Sequence, residues 1–262
     1  MNSLHLNFPW ADDTRLDAHA HLAPDVTRPQ LERLGDVLVL AMTRSLSDAE
    51  RVSRRRDERV IWGCGTHPSL PDALESYDPA RFERLVEHFT LVGEIGLDRR
   101  SVQAGTDVLR SILRITSGRA LLVSLHGGGA ESELLAILEQ DPPRVPIMHW
   151  YAGEPALIER FVDLGCYFSV NARTPERCIE SIPASRMLTE TDYPSTRRQG
   201  GSLPGATSSA EERIALVYAE PVSVVRRRAW ENFATACSVA GVGHPGDWPV
   251  PPQGGVCERT LF

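Results

Sequence analysis

LDAHAHLAP, residues 16–24, decides how this chain is read. A short apolar run ends in two histidines, His19 and His21, spaced two apart and followed by Pro24. On a strand, alternate side chains point the same way, so both imidazoles would face one direction and share one cation. An isolated His-x-His also fits a surface loop. The decision depends on whether other predicted strands end in similar residues.

Working outward, short apolar runs recur along the chain at 15–20, 37–42, 60–65, 91–95, 120–125, 145–149, 166–170 and 186–191. Helix-like stretches separate most of them. Asp78-Pro79 and Thr174-Pro175 each place a capping residue before a proline at the first helical position. Gly165 closes "FVDLG" as a helix-ending glycine. "DAERVSRRRDE" and "ESELLAILEQ" carry helical periodicity. Eight strands alternating with helices predict an α/β fold, a single (β/α)8 TIM barrel, with a doubly wound open sheet as the competitor. The barrel would occupy residues 1–243 as one domain, and the Pro/Gly-rich 244–262 would be an irregular tail.

Four more strands end in metal-ligand chemistry. Glu94 closes the fourth in "VGEIGLD", His126 the fifth in "LVSLHGGG", and His149 the sixth in "PIMHW". Asp192 follows the eighth in "MLTETDYP". With His19 and His21 these are four histidines and two carboxylates at the carboxyl ends of strands, the face where barrels of this type build active sites. Such a set suits two divalent cations with a carboxylate between them.

Composition excludes several alternatives. The chain contains no lysine, so Schiff-base aldolase chemistry, pyridoxal-phosphate chemistry and a carboxylated-lysine metal bridge are not open to it. A net charge of −7 argues against a broad electrostatic footprint on duplex nucleic acid, although bound cations would supply local positive charge. Five scattered cysteines without a CxxC pair predict reduced thiols and a cytoplasmic protein. No apolar run approaches membrane-span length and the start, "MNSLHLNFPW", carries no cleavable signal, so no membrane partner is expected.

The ordered motifs "DAHAHL", "GTHP", "VGEIGLD", "LHGGG", "HWYAG", "YFSVN" and "TETDYP" resemble those of the TatD-family metal-dependent hydrolases, from about Leu16 to Phe233. The resemblance implies a deoxyribonuclease acting on single strands or strand ends. It implies one metal on His19, His21 and Asp192, a second on His126 and His149, and Glu94 bridging them in place of a carboxylated lysine. The cations would be Mg2+, Mn2+ or Zn2+, and Asp192 would take the proton of the attacking water. Glu94 and Asp192 are thus the expected catalytic carboxylates. The aromatic residues after His149 resemble the TatD-like nucleases of the Qat anti-phage defence cluster, which implies antiviral defence and protein partners in a multi-component system.

The chain departs from the family pattern around the substrate. Gly127, Gly128 and Gly129 stand where serine and arginine are common, Trp150 replaces a cysteine, and Ser69 replaces a second histidine. His67 is a candidate phosphate contact, Trp150 a candidate base-stacking surface, and Arg197 a candidate phosphate ligand in the loop after Asp192. For Arg197, Arg198 and Arg173 a solvated loop is the competing reading. The arginine runs at 54–56 and 226–228 are expected on solvated helix faces. Asp17 and Glu190 are either residues that orient ligands or buried polar partners. Two other functions stay open: an amide or ester hydrolase on the same barrel, and a metallated subunit of a larger assembly.

Overall fold

The structure is a computed structural model that describes residues 13–196, 198 and 203–243. Arg197 and the tail at 244–262 lie outside the described residues. Eight strands form one parallel sheet in sequential order: β1 Arg15–Ala20, β2 Val37–Met42, β3 Val60–Cys64, β4 Leu91–Gly96, β5 Leu122–His126, β6 Pro146–His149, β7 Tyr167–Val170 and β8 Met187–Thr189. Each expected strand is present, shifted by at most two residues at either end, and helices alternate with them. The α/β barrel reading holds.

The strand pleat sorts the core into two layers. In β2, Val37, Val39 and Ala41 join Leu46, Ala49 and Val52 of the following helix in the outer layer. Leu38, Leu40 and Met42 join Leu91, Leu122, Ile147, Tyr167 and Leu188 from five other strands. A cluster fed from strands all round the sheet is the barrel lumen, filled by side chains. The last helix, Val222–Ala240, adds Trp230, Phe233, Ala236 and Cys237 to it. Trp230 Nε1 donates to the Thr14 carbonyl just before β1, so this helix plugs the amino-terminal end of the lumen. Asn232 Nδ2 donates to the carbonyls of Ala184 and Met187 and ties this helix to β8.

Helix signals were read with mixed success. Asp78 accepts from the Arg81 backbone at 2.6 Å and starts the helix Pro79–Val86. Gly165 ends the helix Ile158–Asp163 at φ +82, with Gly165 N bonded to Val162 O and Cys166 N to Phe161 O, a Schellman ending. Thr174 does not cap a helix. Its hydroxyl accepts from Asn171 N, and the helix Glu176–Ser181 begins after Pro175. The helix through "DAERV" stops at Val52, so Arg54, Arg55 and Arg56 sit in a turn. There Arg55 pairs with Asp57 at 2.8 Å and packs on Trp62. Arg226 is helical but not solvated, because it forms an ion pair with the fully buried Glu211 at 2.6 Å.

The β8–β1 seam has no regular ladder. It is closed by single bonds: Thr189 Oγ1 to Leu16 O at 2.7 Å, Asp192 N to His19 O at 2.9 Å, and His21 N to Tyr193 O at 2.8 Å. Asp17 supplies the rest. Its buried carboxylate accepts from Thr191 N at 2.8 Å, Thr191 Oγ1 at 2.7 Å and Gly205 N at 2.7 Å. Asp17 is therefore a seam residue that turns away from the histidines; the β1–β2 pairing shifts register between Asp17 and Ala20. Burial pushes its carboxyl up to about 7 against those three hydrogen bonds. Asp17→Ala would strand two buried N–H groups, at about 3 kcal/mol in total. A calorimetric melt should show Tm falling by roughly 6–12 °C; an unchanged Tm would remove Asp17 from this role.

Candidate metal centre

Five imidazoles converge on one carboxylate at the carboxyl end of the barrel. Glu94, 1% exposed, ends β4. Its Oε2 lies 3.0 Å from His21 Nε2, 3.2 Å from His67 Nε2 and 3.5 Å from His19 Nε2. Its Oε1 lies 2.5 Å from His126 Nδ1 and 2.8 Å from His149 Nε2. Asp192 Oδ1 approaches His19 Nε2 at 3.9 Å. The two carboxylate oxygens thus face two separate donor sets. His19, His21 and Asp192 gather on one side, and His126 and His149, 3.0 Å apart, face Oε1, while His19 and His149, stacked at 3.8 Å, also lie close enough to share an ion with Glu94.

The partners on the far side of each ring decide what the near nitrogen can do. His21 Nδ1 is 3.1 Å from the Met42 carbonyl, which only accepts, so Nδ1 carries the proton. In the neutral ring this tautomer turns the Nε2 lone pair toward Glu94 Oε2. His126 Nε2 faces the Asp98 carboxylate at 3.4 Å, which likewise leaves Nδ1 bare toward Glu94. Asp98 is itself gripped by Arg100 through two bonds of 2.9 and 3.0 Å. His19 Nδ1 sits 2.9 Å from Ser124 Oγ. His149 Nδ1 looks toward Glu190 Oε1 at 3.9 Å. These are carboxylate, hydroxyl and carbonyl partners of the kind that fix ligand imidazoles.

His67 behaves differently. Its Nδ1 accepts from Ser69 N at 3.2 Å, so its proton resides on Nε2, facing Glu94 Oε2. Although His21, His67 and Glu94 are close enough to hold an ion, this tautomer turns the Nε2 proton of His67, not a lone pair, toward Glu94, without an aligned hydrogen bond. Ser69, noted as a departure from the family pattern, supplies the contact that sets it.

The donors fit a cation on physical grounds. His19 Nε2 and Glu94 Oε2 are buried yet make no aligned hydrogen bond, although other polar atoms crowd them. Unpaired lone pairs held together in a dry site are costly unless a proton or cation lies between them. Donor atoms about 2.0–2.1 Å from a shared Zn2+ sit roughly 3 Å from one another, close to the spacings here. The electrostatics of the individual groups differ. Burial, then the neighbouring His149, hold His19 well below the usual histidine range and keep it neutral. Burial raises the Glu94 carboxyl, but His149, His67 and His126 outweigh it and hold Glu94 well below the ordinary carboxylate range. Burial opposes charge on His149 too, yet Glu94 and Glu190 lift it well above its ordinary value. Burial lowers His67 to about 4 and raises Asp192 to about 6.

Glycine is required beside His126. Gly128 has φ +48, and a Cβ there would stand 2.5 Å from His126 Nε2. The triple glycine folds the chain back over the imidazole, leaving no room for the bulkier residues common in the family. After His149, Trp150 sits half-buried at the rim, whereas Tyr151 is buried against Phe161 and Phe168 and belongs to the core. Ser124 was missed from the sequence. Its signal was present, because it lies two residues before His126 on the same strand face.

Comparison with known proteins fits this geometry. A family model for TatD-related DNases matches residues 16–238. The chain belongs to the TatD family. Among TatD-family relatives, human deoxyribonuclease TATDN3 is 24% identical, with 83% of this chain and 92% of that protein covered. The 3'-5' ssDNA/RNA exonuclease TatD of Klebsiella pneumoniae is 25% identical over half of this chain and 53% of its own length. The crystal structure of the TatD homologue YjjV from Escherichia coli superposes with a TM-score of 0.73 at 20% identity, covering 86% of this chain and 98% of that one. Among the described residues no helix is long and apolar enough to cross a membrane.

A cation that binds only the folded site raises Tm by mass action. Wild-type protein stripped with chelator should gain several degrees on titration with Mn2+ or Zn2+. Glu94→Ala should lose most of that gain. An equal metal-induced rise in Glu94→Ala would show that the ions bind elsewhere.

Proposed function

We propose that this TatD-family chain is a two-metal phosphodiesterase that cleaves DNA from a strand end. Single strands are the substrate form it fits best. The observation that carries this reading is the division of Glu94, with one carboxylate oxygen facing each donor set. His19, His21 and Asp192 would hold one divalent cation and His126 and His149 the other, with Glu94 shared. When bound, such cations offset the phosphate charge and lower the pKa of water. The names of TATDN3 and the Klebsiella exonuclease support DNA as the substrate. Mg2+, Mn2+ and Zn2+ all suit histidine and carboxylate donors.

The chain's own residues then divide the work. Ser124, the Met42 carbonyl and Asp98 hold the rings of His19, His21 and His126 so that their bare nitrogens stay inward. His67 Nε2, which carries the ring proton, stands 3.2 Å from Glu94 Oε2 and adds a positive edge beside that carboxylate. Asp192 is the proton acceptor. Its φ of +46 and its backbone bond to His19 O direct the carboxylate into the site rather than along β8. A water attacking phosphorus gives its proton to Asp192 as the new P–O bond forms. The bond to the leaving oxygen breaks, and that oxygen takes up a proton. The site lies at the bottom of a rim built from loops, with residues 1–243 as the catalytic domain.

The direct test is cleavage of end-labelled single strands across a metal series. Asp192→Asn should lower kcat by roughly 10^2- to 10^4-fold while its melt stays cooperative. Excess chelator should abolish wild-type activity. Full activity of Asp192→Asn, or cleavage that survives chelation, would refute the mechanism. DNA left intact beside rapid ester turnover would transfer the barrel to amide or ester hydrolysis.

A further inference from the structure

Beside the metal centre, the rim carries a prearranged aromatic–arginine pair. The Arg173 guanidinium carbon lies 4.6 Å from the centroid of the Trp150 indole. Trp150 directly follows His149 and is held at φ +38, a backbone conformation rare for a bulky residue and retained where surrounding structure enforces it. Arg173 is exposed in the loop after β7. Among the described residues no carboxylate forms an ion pair with it. Arg173 is thus an exposed loop residue with one face of its guanidinium resting on the indole.

The pair is tied to the site by a closed circuit. Arg173 N donates to Asn171 Oδ1 at 2.8 Å, and Asn171 Nδ2 donates to Glu190 Oε1 at 2.8 Å. Ser169 also donates to Glu190, and Glu190 Oε1 faces His149 Nδ1 at 3.9 Å. From His149 the chain passes directly to Trp150 and back to Arg173. Three adjacent barrel segments thus fix an unpaired, planar cation next to one half of the candidate metal centre.

We propose that Trp150 and Arg173 form a strand-binding subsite for single-stranded nucleic acid. The indole occupies one face of the guanidinium. The outward face carries a base, and the in-plane N–H groups bind the phosphate next to the scissile one. Guanidinium planes stack on bases while their edges fork onto phosphate, so one residue serves both contacts. Trp150 is a positioning residue that orients Arg173. The subsite rests on the phosphodiesterase reading and deepens it, because it assigns substrate selection to a strand with at least one further nucleotide.

Fluorescence anisotropy with a labelled oligothymidylate, in chelator, reads binding apart from chemistry. Arg173→Ala should weaken binding about tenfold, the range reported for loss of one base stack, and should flatten the salt dependence. Arg173→Lys should keep the salt slope but not the affinity. Trp150→Leu should weaken binding while retaining the charge. With Mn2+, kcat/KM of Arg173→Ala on the oligonucleotide should fall about tenfold further than on bis(p-nitrophenyl) phosphate, which has neither base nor neighbouring phosphate. Unchanged binding in Arg173→Ala, or equal falls on the two substrates, would overturn the subsite. A wild-type protein that hydrolyses neither phosphodiester with any metal would sink the phosphodiesterase reading instead. The anisotropy comparison still decides the subsite in that case.

Discussion

A single buried carboxylate organises the mouth of this barrel. Glu94 is withdrawn from water, and an isolated carboxylate in that position would cost several kcal/mol. It is tolerated because five imidazoles are arranged around it, with the Asp192 carboxylate at their edge. Three strands, β1, β5 and β6, and the loops after β1, β3 and β8 contribute those groups. Divalent cations held between these donors would add the positive charge that phosphodiester cleavage requires. Stability of the mouth and capacity for catalysis therefore rest on one feature.

The scaffold devotes other residues to holding that feature still. Parallel strands alone point alternate residues inward, but both β1 and β4 shift register near the site, between Asp17 and Ala20 and between Val92 and Ile95. Asp17 uses the shift on β1 to reach across the seam, where its carboxylate ties Thr191 and Gly205 to β1. Asp192, one residue beyond Thr191, inherits its position from that tie. On the opposite wall, Arg100 holds Asp98, and Asp98 holds His126. The glycine at 128 permits the chain to close over the same ring. His19, His21 and His126 each have a partner on the face away from the centre, which is how a site keeps its geometry.

Much of this was legible in the sequence, for physical reasons. The strands show as short apolar runs because parallel strands are buried on both faces. The six metal-ligand candidates show because their chemistry is rare at strand ends and barrels gather strand ends at one rim. Gly165 and Asp78 act through their immediate neighbours, so their roles could be read locally. Asp17 could not be assigned, since its partners lie some 170 residues or more away in sequence. The same holds for Arg226, whose burial depends on Glu211 in a separate helix. Thr174 carried a capping signal, but its hydroxyl found a closer donor in Asn171 N. The pairing of Arg173 with Trp150 joins two loops, and neither loop alone discloses it.

The most direct measurement of the central claim is anomalous diffraction from crystals soaked in Mn2+. The account requires two separate peaks flanking Glu94. One should lie among His19, His21 and Asp192, the other between His126 and His149, with one Glu94 oxygen on each. A single peak, or two peaks with Glu94 bound to neither, would contradict it.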